Sequence, residues 1–233
     1  MADGDQMAPT NLQNSSGPMW ADPQSCVSTI LLIGPTGSGK TPLGDYLAGT
    51  GLGGRRCAHF DFGEHLRAAV SGESPEEGDY RLSAAEARVI RDCLSVGRLL
   101  SGREFPIALK LLSSFIGWSA LKAGDWLVLN GLPRDVDQAG RIDSLARVEL
   151  IVQLDCGRET VFERIKRNTG GDRTVRDDDA VESVRRKLDL FEKATLPLVD
   201  YYGRKMVRIV RVAVSVETGP EDVARLVTRN WEC

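Results

Sequence analysis

Gly34-Pro35-Thr36-Gly37-Ser38-Gly39-Lys40-Thr41 satisfies the pattern G-x-x-x-x-G-K-[ST]. The chemistry this spacing supports is the cradling of a polyphosphate. Its glycines let the main chain turn N–H groups inward, and a helix opening at the end of the loop adds positive potential. Lys40 is long enough to reach the β- and γ-phosphates of a nucleoside triphosphate, and the Thr41 hydroxyl is placed to ligate Mg²⁺. The flanks agree. Ser28 to Ile33 is rich in β-branched and aliphatic residues, as a buried parallel strand should be, and Leu43-Gly44-Asp45-Tyr46-Leu47-Ala48 has helical spacing. All eight loop residues are therefore candidate ATP-binding residues.

Positioning such a site takes a sheet and helices, and the rest of the chain supplies both patterns. Short strands are predicted at Cys57–Phe60, Trp126–Asn130, Val148–Leu154 and Met206–Val214. Helical stretches are predicted at Gly63–Val70, Ser83–Ser95, Glu104–Phe115, Glu159–Arg167, Ala180–Ala194 and Pro220–Trp231, the last capped by Thr218 or its neighbours. Strands separated by helices indicate an α/β fold with a parallel, helix-covered sheet. Residues 1–24 are polar and aperiodic and read as a disordered leader, with Trp20 the one residue there able to dock on the domain. Thr169–Asp179, with two glycines and four acidic residues, reads as a mobile loop.

The composition is that of an ordinary globular chain: 233 residues, 42% hydrophobic and 27% charged. A net charge of −3 argues against a general nucleic-acid binder. No apolar run approaches the roughly 20 residues of a membrane span. The five cysteines, Cys26, Cys57, Cys93, Cys156 and Cys233, are odd in number and dispersed, which suits reduced thiols in a cytoplasmic setting.

The order of motifs resembles the adenylate kinase and nucleoside monophosphate kinase family. Besides the phosphate loop, three segments carry the resemblance. His59-Phe60-Asp61-Phe62-Gly63-Glu64-His65-Leu66-Arg67 is similar to the family's strand-to-helix segment ending T-G-D-x-L-R. Leu129-Asn130-Gly131-Leu132-Pro133-Arg134-Asp135-Val136-Asp137-Gln138 is similar to D-G-[FY]-P-R-x-x-x-Q. Arg176-Asp177-Asp178-Asp179 with its following helix, and Thr195-Leu196-Pro197-Leu198-Val199-Asp200-Tyr201-Tyr202, resemble the lid-closing R-x-D-D and the T-x-P-L-x-x-Y-Y ending.

The resemblance implies a three-part P-loop kinase. A core of residues 25–60, 119–163 and 181–233 would bind donor phosphates, an insertion of residues 61–118 would hold the acceptor, and a short lid of residues 164–180 would close. It implies phosphoryl transfer from Mg-ATP to a nucleoside monophosphate, AMP first among them, by a monomer with no membrane or nucleic-acid partner. Arg67 and Arg134 would grip acceptor phosphate, with Phe62, Gly131 and Lys187 also at the acceptor site, and Gln138 would read the adenine edge. Arg164 and Arg167 would attend the donor. Arg173 and Arg176, with Lys40 and Arg134, would be catalytic. Planar guanidinium groups suit this work because each can grip two phosphate oxygens.

The chain departs from the family pattern in four places. Asn130 stands where an aspartate usually helps to hold the water shell of Mg²⁺; Asp155 and Asp61 are the two carboxylates that could compensate. Phe62 replaces a threonine beside the acceptor base, and Lys187 replaces an arginine, keeping charge without the bidentate grip. Thr41-Pro42 follows Lys40 in place of Gly-Thr, which shifts the hydroxyl by one position. These departures leave two other readings of the same residues: a P-loop kinase acting on another small acceptor, and a non-catalytic nucleotide-binding sensor.

Overall fold

The computed structural model describes residues 26–71, 82–172 and 180–231. Strand β1 (Val27–Ile33) runs into the phosphate loop and helix α1 (Lys40–Thr50). Strand β2 (Cys57–Asp61) leads directly into α2 (Phe62–Ser71), and α3 (Ala84–Val96) and α4 (Phe105–Trp118) complete a helical insertion. Strand β3 (Trp126–Asn130), α5 (Val136–Ile142), β4 (Ala146–Asp155) and α6 (Arg158–Arg167) follow. The chain then forms α7 (Val181–Leu190), a π-helical turn over Phe191–Thr195, α8 (Leu198–Arg204), β5 (Arg208–Ala213) and α9 (Pro220–Trp231).

The five strands form one parallel sheet in the order β2-β3-β1-β4-β5, with β1 at its centre. Alternation along the strands makes the three layers. Leu31 and Ile33 join Phe60, Leu127, Leu129 and Ile151 in a core shared with α2 to α5 and α8. Ile30 and Leu32 point the other way, into a second core with Val128, Leu150, Val152, Val210 and residues of α1, α6, α7 and α9. A strand's period of two sends successive side chains to opposite faces. Both faces are covered, so the strands read as continuous apolar runs.

The predicted strands and helices recur with end shifts, and four local differences have physical causes. Ser83 lies outside α3 as its N-cap, accepting from Glu86 N while the Glu86 carboxylate accepts from Ser83 N. This is a capping box. The single helix expected over Ala180–Ala194 ends at Leu190 and gives way to the π-helical turn, in which Leu196 N donates to Phe191 O at 2.8 Å. Thr218 does not cap α9: its hydroxyl oxygen accepts from Ser215 N, and the Asp222 carboxylate takes the Gly219 N–H instead. Met206, expected to begin the last strand, sits in a turn at φ 62° and is 91% exposed. Helices α5 and α8 carry too few apolar repeats to stand out in the sequence. The leader with Trp20, residues 72–81, Arg173, Arg176, Asp177, Asp178, Asp179 and Cys233 lie outside the described residues.

Candidate active site

Parallel strands deliver their carboxyl ends to one edge, where open α/β sheets place their ligands. Register does the fine alignment here: Leu32 of β1 pairs with Asn130 of β3, and Asn130 pairs with Asp61 of β2. Around this edge lies a cleft of about 220 Å³. Its floor is the phosphate loop. Gly37 and Gly39 take φ of 76° and 96°, a left-handed conformation that suits glycine. The Ser38 hydroxyl, 2% exposed, donates to Pro35 O at 2.9 Å and fixes the loop from inside. Lys40 Nζ donates to Gly34 O and Pro35 O, both at 2.7 Å, and so lies folded back across the loop.

At the end of the loop three polar groups converge. Thr41 Oγ1 donates to Asp61 Oδ2 at 2.6 Å, and Asn130 Nδ2 donates to the same carboxylate oxygen at 2.7 Å and to Thr41 Oγ1 at 3.1 Å. Asp61 and Asn130 are 7% and 4% exposed. Asp61 Oδ1 also accepts the Glu64 N–H at 3.0 Å, opening α2. The hydroxyl and the carboxylate are the hard oxygen donors that Mg²⁺ prefers, and the amide holds both through its Nδ2. Asp155 is exposed and does not line the cleft.

Beyond the loop the lining is cationic. Arg67, Arg98, Arg134 and Lys187 line the cleft with Lys40, against only Asp61 and Asp172 among the lining carboxylates. A chain of net charge −3 has thus gathered positive charge in one place. Arg134 is the most telling of these. Burial lowers its pKa, the charge of Asp61 offsets this in part, and its guanidinium has no hydrogen-bond partner among the described residues. A half-buried cation with no hydrogen-bond partner is costly to hold there, and an incoming anion would relieve that cost. Its main chain is tied down on both sides: Arg134 N donates to Gln138 Oε1 at 2.8 Å, and Arg134 O accepts from Thr195 Oγ1 at 2.8 Å.

The other sequence candidates divide between cleft and scaffold. Phe62, Gly131, Arg67 and Lys187 line the cleft. Gln138 is buried away from it, and its amide nitrogen donates to Leu100 O at 3.0 Å. Arg164, 4% exposed, lies behind the phosphate loop. Its guanidinium donates to Gly37 O at 3.0 Å, and to Ser215 O, Val216 O and Thr218 O at 2.7, 3.2 and 2.9 Å. Arg167 points to solvent and pairs with Glu217 and Glu163 at 3.0 and 3.6 Å.

Comparison with known proteins agrees with this geometry. No model of a known protein family matches the chain. Curated proteins do. An adenylate kinase of Xanthomonas campestris pv. campestris (strain 8004) is 32% identical over 181 residues, covering 76% of this chain and 86% of that protein. The chain belongs to the adenylate kinase family. An adenylate kinase of Haloarcula marismortui is 28% identical over 199 residues, covering 75% of this chain and 84% of its own length. UMP-CMP kinase 1 of Oryza sativa subsp. japonica is 26% identical over 195 residues, covering 78% and 66%.

As a member of this family the chain is a phosphotransferase, a divergent nucleoside monophosphate kinase. Three lining residues are given no cleft role by the motifs. Thr195 belongs to a matched segment, but only the fold shows it holding the Arg134 carbonyl. Arg98 reaches the cleft from the turn after α3 and is forked onto Glu104, its Nη2 donating to Oε1 at 2.8 Å. Phe191 comes to the cleft from the π-helical turn, a feature that recurs at functional sites. The buried thiols are inert by environment: burial pushes Cys57 up to about 11 and raises Cys93 and Cys156. Among the described residues, no helix is long and apolar enough to cross a membrane, and no cluster of three His, Cys, Asp or Glu is placed to hold a metal.

Proposed function

We propose that the chain transfers the γ-phosphoryl group of Mg-ATP to AMP, giving two molecules of ADP. The observation that carries this reading is one cleft lined by both the phosphate loop and a half-buried Arg134 whose guanidinium has no hydrogen-bond partner among the described residues. Two anionic substrates placed there would bring their phosphates together among these cations. An oxygen of the AMP phosphate attacks the γ-phosphorus, and the bond from that phosphorus to the β,γ-bridging oxygen breaks, releasing ADP. Little covalent work falls to the protein, so rate comes from positioning and charge stabilisation.

In this proposal the loop from Gly34 to Thr41 takes the donor. Lys40 exchanges its two loop carbonyls for β- and γ-phosphate oxygens. Thr41, with the oxygen donors beside it, takes the Mg²⁺ that accompanies ATP and offsets phosphate charge. Arg134 and Arg67 grip the AMP phosphate, and Phe62 with Gly131 forms the adjoining surface for the base. Lys187, Arg173 and Arg176 add positive charge as a lid between α6 and α7 closes, excluding water that would otherwise accept the phosphoryl group. Arg164 serves the donor indirectly, by bracing the loop at Gly37. Gln138 reads the adenine edge only if it releases the Leu100 carbonyl on AMP binding.

AMP is favoured because two of the relatives described above are named adenylate kinase. The relative named UMP-CMP kinase 1 marks pyrimidine monophosphates as the competing acceptors. The test is a panel of AMP, GMP, CMP, UMP and dTMP with Mg-ATP, following diphosphate formation. Fast turnover with AMP alone supports the proposal; preference for UMP or CMP replaces the acceptor; silence with all five refutes transfer to nucleotides.

A further inference from the structure

We infer that Asp61 supplies the carboxylate that takes the Mg²⁺ of Mg-ATP in this chain, with Asn130 as its neutral holder. The acidic function has moved one strand across the sheet edge. This rests on the Mg-ATP reading above.

Register makes the exchange possible. Asp61 and Asn130 are paired residues at the carboxyl ends of neighbouring parallel strands, so either can face the same point beside Thr41. The side chains meet there, with Asn130 Nδ2 2.7 Å from Asp61 Oδ2 and Thr41 Oγ1 2.6 Å from the same oxygen. At that separation two carboxylates would repel each other strongly. An aspartate at 61 and an asparagine at 130 are therefore one coupled change. The amide is not a weakened metal ligand but a donor that holds the Asp61 carboxylate aimed at Thr41. Asp61 Oδ1 is held as well, by the Glu64 N–H. Mg²⁺ takes oxygen ligands, typically one or two carboxylates besides phosphate oxygens and water. Asp61 offers that carboxylate next to the loop hydroxyl. The other compensating candidate, Asp155, is exposed outside the cleft.

The experiment measures binding of a non-hydrolysable ATP analogue to the full chain by calorimetry, in EDTA and across a Mg²⁺ titration, without acceptor. The variants are Asp61→Asn, Asn130→Asp and the exchange Asp61→Asn/Asn130→Asp. Asp61→Asn is expected to lose about tenfold or more of the Mg²⁺-dependent gain while keeping its affinity in EDTA. The exchange variant is expected to recover most of that gain, because it restores one carboxylate and one amide at the same point. A full Mg²⁺ gain in Asp61→Asn would overturn the inference. If that variant fails to bind in EDTA, the exchange variant decides: recovery of the gain supports the coupled pair, and its absence overturns it. The readout needs no acceptor, so failure of the AMP proposal would show in the monophosphate panel and not here.

Discussion

Replacing Arg134 by alanine separates what the residue does for the fold from what it does for the reaction. The main-chain bonds to Gln138 and Thr195 do not depend on the side chain and should survive. The guanidinium has no partner among the described residues, so its removal leaves no orphaned acceptor there. Burial disfavours its charged form, so the folded state is relieved of a strained cation. Because arginine stays protonated throughout the accessible pH range, this relief should not vary between pH 5 and 9. Stability should hold or rise by about 1 kcal/mol, a Tm change of roughly 0 to +4 °C for a chain of this size. Function should respond in the opposite direction. Two charge-assisted hydrogen bonds to phosphate, at about 1.5–3 kcal/mol each, total about 3–6 kcal/mol. At 1.4 kcal/mol per decade this is about 10²- to 10⁴-fold in kcat/KM for the acceptor. The assays are differential scanning calorimetry, initial rates over an AMP series, and ATP binding by fluorescence titration, which should change less than threefold. A Tm drop of 6 °C or more, or an equal loss of ATP affinity, would refute the division between a donor loop and an acceptor arginine.

Other substitutions probe the scaffold. A Cβ on Gly44 would lie 2.2 Å from His59 Nε2, so Gly44→Ala should cost about 1–3 kcal/mol by overpacking; an unchanged melting curve would contradict this. Arg164→Met would leave the carbonyls of Gly37, Ser215, Val216 and Thr218 without their donor. Urea unfolding should show a loss of about 2–5 kcal/mol, with weaker ATP binding; loss of neither would mean the loop needs no brace. Glu86 has its pKa lowered first by the Ser83 N–H and then by Lys110, so it stabilises the fold above its unfolded value of 4.5, and this contribution disappears as pH falls through the lower folded value. Glu86→Gln should therefore cost about 0.5–1 kcal/mol at pH 7 and progressively less as the solution is acidified below 4.5; a cost that does not shrink on acidification would exclude this origin.

The phosphate loop was legible because its residues are consecutive and its chemistry depends on local backbone shape. The sheet was legible because strands buried on both faces form unbroken apolar runs, as in Ile30–Ile33 and Leu127–Leu129. Arg134 and Arg67 could be singled out because each lies within a few residues of a strand end. What the sequence leaves hidden depends on register and on long-range contacts. Asp61 and Asn130 are 69 residues apart and become partners only through strand pairing. Arg164 is a donor-site cation only by the family resemblance, and its four carbonyl partners come from positions 51 or more residues distant. Gln138 falls at a motif position, while its buried amide bridges to Leu100, which no local pattern marks. The π-helical turn that brings Phe191 to the cleft and Thr195 to Arg134 interrupts a helix whose apolar spacing runs through it.

The central claim is direct transfer between two nucleotides in one cleft. The measurement that tests it follows the label from [γ-³²P]ATP with saturating AMP, Mg²⁺ and the full chain, in wild type and in Lys40→Met. The expected result is label in the β-phosphate of newly formed ADP, with little inorganic phosphate, and a rate at least about 10²-fold lower in Lys40→Met. Label released as inorganic phosphate, or left in ATP, would contradict a phosphotransferase acting on AMP.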